Sequence, residues 1–195
     1  MDNLKHRFFI ALLPPQEIQE DITDIKQYFA ENYGSSGALK SPPHITLQPP
    51  FRWLADDIAK LEECLKEFAI AHHPVPIALS GFAAFPPRVI YANPLKTPEL
   101  LDIQKDLMLY LETTLGITDT ASKSRSFIPH MTVAFRDLTK ENFKTAWAEF
   151  EKRSLNFEFT ADRLTLLIHD GDRWNISREF PFSPIKHKTY RTGTW

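Results

Sequence analysis

Two short stretches of the chain carry residues able to do acid–base chemistry together. Residues 43–47 read PHITL and residues 129–133 read PHMTV. His44 thus stands two positions before Thr46, His130 two before Thr132, and the histidines are 86 positions apart (130 − 44). On an extended strand, side chains at i and i+2 leave the same face. Each histidine shares a face with its threonine, while Ile45, Leu47, Met131 and Val133 point the other way, into a core. A strand buried on both faces is usually apolar throughout, so each polar pair needs water, a partner or a ligand.

An imidazole titrates near pH ~6.5, so one ring can be neutral and a second protonated near neutrality. Two such rings on opposite sides of a phosphodiester can divide an in-line displacement. One removes a proton from the attacking water and the other protonates the leaving oxygen. The neighbouring threonine hydroxyls can donate hydrogen bonds to the non-bridging oxygens as charge builds there. A lone His-x-Thr is most often a locally satisfied histidine. Two copies in equivalent positions make that account the weaker one. The residues alone do not say which histidine is the acid. No metal is required, and the lack of a carboxylate cluster or of cysteine ligands agrees with that, although two histidines by themselves do not exclude one.

These pairs need strands to hold them, and the hydropathy pattern supplies candidates. Residues 7–13 read as a buried strand stopped by Pro14-Pro15. Apolar residues at Ile18, Ile22, Ile25 and Phe29 predict a helix over 16–32. The first His segment, 44–48, is strand-like and is closed by Pro49-Pro50. A helix is expected over 56–71, strands over 75–84 and 88–93 with FPPR as their turn, and a helix over 97–115 ended by Gly116. Residues 117–128 read as a mobile polar loop. The second His strand, 130–135, leads to a helix over 139–152 with Thr139 as N-cap, then to strands over 155–160, 163–169 and 173–181. The last two strands meet at Asp170-Gly171, a hairpin turn. Each His strand is thus followed by a helix and two strands. This predicts an α+β fold of two sheet-plus-helix lobes, related by a pseudo-twofold, around one central cleft. Residues 1–185 form one bilobal domain in this reading and 186–195 a polar C-terminal tail.

Composition narrows the partners. A chain of 195 residues with net charge −2 has no electrostatic footprint for duplex DNA. The single cysteine, Cys64, falls on an apolar helical face and reads as a buried structural thiol. No apolar run is long enough for a membrane span, so the expectation is a cytoplasmic monomer bound to neither membrane nor duplex DNA.

The two motifs, with SPPHITL (41–47), FPPRVIYANP (85–94) and RSFIPHMTV (125–133), make the chain resemble the 2H phosphoesterase superfamily. It is most similar to the branch of bacterial 2′-5′ RNA ligase-like RNA 2′,3′-cyclic phosphodiesterases. The resemblance implies a bilobal fold with both motifs in the cleft and no cofactor. It implies His44 as proton donor, His130 as proton acceptor, and Thr46 and Thr132 as phosphate ligands. The substrate implied is an RNA 3′ end or small nucleotide bearing a 2′,3′-cyclic phosphate, opened to a 2′-phosphate, with weak 2′-5′ ligation as the reverse. A nucleotide-binding module without turnover, or action on another cyclic or 2′-5′ linked nucleotide, stands as the alternative.

Related members often carry Arg three residues after the second Thr, whereas here that position is Phe135 and Arg136 follows. A shift of one residue on a strand reverses the face, so Arg136 is expected to point away from the cleft. Gln48 and Phe51 are expected to shape a substrate edge. Arg88 reads equally as a ligand contact or a surface charge, as do Lys123 and Arg125 in the loop before the second motif. Tyr91, Phe82 and Phe85 read as core rather than base-stacking rings. His72 and His73 suit a helix C-terminus, and His6, His169 and His187 have no motif around them.

Overall fold

In the computed structural model, which describes residues 4–119 and 126–184, the chain forms two antiparallel four-stranded sheets. Strand β1 (Lys5–Leu12) is followed by helix α1 (Gln16–Tyr33), a 3₁₀ turn at Gly37–Lys40 and β2 (Ile45–Leu54). Helix α2 (Ile58–Ile70), the hairpin β3 (Val75–Phe85) and β4 (Val89–Pro94), and helix α3 (Pro98–Leu115) come next. The second half comprises β5 (Met131–Ala134), α4 (Lys140–Phe150), β6 (Asn156–Ala161), β7 (Arg163–His169) and β8 (Trp174–Pro181). The expected Thr139 cap forms, its side chain accepting from the Asn142 N–H at the start of α4, and Thr97 likewise accepts from the Leu100 N–H at the start of α3. Gly116 closes α3 with φ of 66°, a left-handed conformation that glycine adopts without strain.

The sheet order is β2-β1-β7-β8 in one lobe and β5-β4-β3-β6 in the other. The element count and the bilobal α+β form match the sequence reading, but the grouping of elements differs. The strands that follow β2 in sequence do not join it. β3 and β4 belong with the His130 strand, and β1, β7 and β8 belong with the His44 strand. The repeating unit is therefore strand–helix–His strand, β1–α1–β2 and β4–α3–β5, with the histidine just before its last strand. Element order alone could not reveal this, since pairing is decided by which apolar faces meet. The helices cross over as well: α1 packs against β5, α3 against β2, and α2 against β8.

A second difference lies in β2, which continues through Pro49-Pro50 to Leu54. It is an edge strand paired only with β1, so two missing N–H donors disrupt no further ladder. The core-facing residues of both His strands enter one continuous cluster that spans the two sheets. Ile45, Leu47, Met131 and Val133 are each at most 1% exposed. β1 is buried on both faces: Phe8, Ile10 and Leu12 join this core, while Phe9, Ala11 and Leu13 form a smaller cluster with Leu167 under the cleft. Cys64 is buried on α2, as expected. The tail 186–195 and residues 120–125 of the polar loop lie outside the described residues, and no helix among those described is long and apolar enough to cross a membrane.

Phe8, with no exposed surface, sits at the centre of this arrangement, on the strand shared by β2 and β7. Phe8→Ala is expected to cost about 3–5 kcal/mol of folding stability, read as a lower denaturant midpoint at unchanged slope.

Candidate active site

Each histidine sits immediately before its strand, and the residue before it fixes the ring. Pro43 and Pro129 confine the preceding residues, Pro42 and Ile128, to extended backbone, which leaves their carbonyls facing back under the imidazoles. The His44 Nδ1 lies 2.7 Å from the Pro42 carbonyl oxygen, and the His130 Nδ1 lies 2.8 Å from that of Ile128. A carbonyl only accepts, so Nδ1 carries the proton in both rings and each Nε2 presents its lone pair outward. Strand pairing then places the threonines: Thr46 lies opposite Ala11 of β1, and Thr132 opposite Tyr91 of β4.

All four side chains line one cleft of 710 Å³ between the lobes. Phe9 packs on the His44 ring at 4.7 Å between centroids, and Phe85 and Tyr91 approach the His130 ring at 5.3 and 5.7 Å. Burial is the main reason that His44 is pushed down to about 4. The Pro42 hydrogen bond opposes this, and the charges of Lys26 and His130 add to it. Lys26, only 2% exposed, is itself lowered to about 7 by burial and donates through Nζ to the Ser41 carbonyl at 2.9 Å. With its pKa lowered to about 4, His44 is neutral at pH 7.

The expectation for Arg136 is overturned. β5 stops at Ala134, and Arg136 adopts φ of 62°, the left-handed region, so strand alternation no longer governs it. Its side chain lines the cleft with the guanidinium 5.1 Å from the centre of the Phe135 ring. The next residue secures this turn. The Asp137 carboxylate accepts from the Ser35 hydroxyl, from the Ser36 N–H and hydroxyl, and from the Gly37 N–H. A Cβ on Gly37 would lie 3.2 Å from both Asp137 Oδ1 and the Phe135 carbonyl oxygen, so the two backbones meet here directly.

Gln48 and Phe51 do not reach the cleft. Gln48 is 1% exposed and donates to the Pro49 carbonyl, and Phe51 packs on Phe8 in the core. A bulge in the β1–β2 ladder between Phe8 and Ile10 shifts the parity that sequence alternation assumed. Arg88 lies exposed on the β3–β4 turn, outside the cleft lining. Phe82 packs edge-on against Phe150, as core, and Tyr91 is buried, but Phe85 lines the cleft. His72 and His73 bond through Nδ1 to the carbonyls of Phe68 and Ser183, and His6 packs on Phe8. Lys123, Arg125 and His187 lie outside the described residues. The sequence reading missed Arg7, Lys40, His169 and Trp174, which line the cleft beyond His44. Arg7 and Phe9 alternate on β1, a signal usable only once β1 is known to neighbour the His44 strand; Trp174 had no signal. Among the described residues no group of three or more His, Cys, Asp or Glu is arranged to hold a metal ion.

Residues 14–173 match the family model of the 2′-5′ RNA ligase superfamily. A relative from Geobacillus kaustophilus that bears a phosphoesterase name is 31% identical over 177 residues, covering 89% of this chain and 95% of its own. TT0787 of Thermus thermophilus superposes with a TM-score of 0.67 at 19% identity, covering 93% of this chain and all of its own. E. coli LigT, crystallised with 3′-AMP, gives a TM-score of 0.60 at 18% identity over 92% of this chain and 99% of its own. The two solved structures share the fold.

The pKa shift of His44 has a signed consequence for stability. The unfolded ring takes up a proton near pH ~6.5, whereas the folded ring refuses it down to about 4. The stability His44 contributes above pH ~6.5 is therefore lost as pH falls toward 4. Imidazole NMR signals are expected to place the His44 midpoint near 4, with Nδ1 protonated above it. His44→Gln is expected to flatten the stability–pH curve across that window.

Proposed function

The chain belongs to the 2′-5′ RNA ligase superfamily and is a phosphoesterase of that group, and on this premise we propose that it hydrolyses a 2′,3′-cyclic phosphate on an RNA 3′ end or a small nucleotide, without a metal. The observation that carries this reading is the paired arrangement itself: two histidines in one cleft, each locked by the same ring-to-carbonyl bond, each with a threonine two residues on. The nucleotide bound to the structural relative LigT supports the substrate class.

In the proposed reaction His130 Nε2 removes a proton from a water molecule as the water oxygen bonds to phosphorus. The P–O3′ bond breaks in line, and His44 delivers its proton to the departing 3′ oxygen, leaving a 2′-phosphate. Thr46 and Thr132 donate to the non-bridging oxygens, and the Arg136 guanidinium adds positive potential at the cleft. These groups supply proton transfer and charge neutralisation between them, which is the basis for proposing no metal. The same steps with a 5′-hydroxyl in place of water form a P–O5′ bond as the P–O3′ bond breaks, which gives weak 2′-5′ ligation.

Because burial lowers the His44 pKa, the donor role requires that the substrate raise it. An anion beside the ring favours the imidazolium and so raises the pKa. In this proposal the arriving phosphodiester draws the proton onto the donor.

Purified protein with excess chelator is expected to convert a 2′,3′-cyclic nucleotide and a short cyclic-phosphate RNA to 2′-phosphates, with the phosphate position read by NMR. His44→Ala and His130→Ala are each expected to lower kcat/KM by about 10²–10⁴-fold; activity that survives both sinks the mechanism. For pH dependence, the alkaline limb of kcat is expected at higher pH than that of kcat/KM, because only the complex holds the raised His44. Calorimetry in buffers of differing ionisation enthalpy is expected to show proton uptake on binding near pH 7.

A further inference from the structure

The cleft is larger than its chemistry requires. In the proposed reaction the cyclic phosphate lies between His44 and His130, and the lining continues past His44 along β1 to the β7–β8 hairpin. The cavity of 710 Å³ is of the size that holds a drug-sized ligand rather than a phosphate alone. What lines this extension is a built series of rings. Phe9 lies against His44, and Trp174 meets Phe9 edge-on at 4.6 Å. Trp174 is also packed by His169 at 4.8 Å, and the Arg7 guanidinium stands 5.3 Å from the centre of its ring.

The turn that carries Trp174 is held on several sides. The Asp170 carboxylate accepts from the N–H groups of Asp172 and Arg173 and from the Asn175 side chain, bonds that hold it down at about 2. The Gly171 N–H donates to His169 Nδ1, and Lys40 pairs with Asp172, which ties the hairpin to the 3₁₀ turn before β2. Trp174 nonetheless stays partly exposed to the cleft. A half-exposed indole fixed by hydrogen bonds around its turn and flanked by a guanidinium is the kind of surface on which a nucleobase stacks.

We propose that Trp174, with Arg7, forms a nucleobase subsite on the His44 side of the cleft, and that it favours purines over pyrimidines. The inference rests on the cyclic phosphodiesterase reading. If His44 protonates the 3′ oxygen, the nucleoside that keeps this oxygen lies on the His44 side, where the rings are. Purines present the larger stacking face, so the base preference follows from contact area.

The test compares three cyclic phosphates: a purine nucleoside, a pyrimidine nucleoside and an abasic ribose. Trp174→Leu keeps an apolar cover over Phe9 but removes the π face. The wild type is expected to order the three as purine, pyrimidine, abasic in kcat/KM. In Trp174→Leu the purine-to-abasic ratio is expected to fall by about 5- to 150-fold, and Trp174→Phe is expected to restore most of it. An unchanged ratio overturns the subsite, and so does an equal loss on all three substrates, which marks an effect through Phe9 and His44 alone. If Trp174→Leu does not fold, Arg7→Gln is read in the same way, with a smaller fall in the ratio expected. The same ratio measured as Kd by calorimetry with the matching ribose 2′-phosphates separates the two readings. Loss of the hydrolysis reading shows as no turnover by the wild type, and loss of the subsite shows as no base preference in binding.

Discussion

Two hydrogen bonds of one kind govern the cleft. Each donates an imidazole Nδ1–H to the carbonyl two residues back, and each depends on a proline between them that keeps that carbonyl in place. Without this bond either ring nitrogen could carry the proton, and the ring could rotate away from the cleft. With it, both Nε2 atoms are committed outward and only their protonation remains to be set by surroundings. Those surroundings differ: burial and the nearby Lys26 act on His44, while His130 is met by Phe85 and Tyr91. Near-identical motifs thereby sit in unequal environments.

The alternation of the His strands supplies the second constraint. Ile45, Leu47, Met131 and Val133 are anchored in a core common to both sheets. A register slip of one residue would bury a histidine and a threonine in place of two apolar side chains. The reciprocal packing of α1 on β5 and α3 on β2 braces each His strand with a helix from the other half. The Asp137 carboxylate, bound to Ser35, Ser36 and Gly37, adds a polar tie between the segments that precede β2 and follow β5.

Much of this was legible from the chain. The period of the apolar residues placed the elements, and the doubled His-x-Thr picked out the four side chains that the fold brings into one cleft. Sheet composition was not legible, because β1 chooses β7 as its second neighbour across more than 150 residues and local pattern carries no record of that choice. Gln48 and Phe51 were misjudged through a bulge that no residue type announces. Arg136 was misjudged because alternation was carried one residue beyond the end of β5, into a left-handed turn. Trp174 escaped notice since its relation to His44 runs through Phe9, on a third strand.

The pairing of β1 with β7 also sets an order on synthesis. On synthesis β1 has only β2 as a sheet partner until residues 163–169 follow, and β8 must follow in turn. Through that interval Phe9 and Ala11 lack the Leu167 and Trp174 cover they have in the finished fold. The His44 lobe, although β1 and β2 precede the strands of the other sheet, is therefore the last to close. Its nascent form is an apolar sheet edge of the sort that chaperones hold.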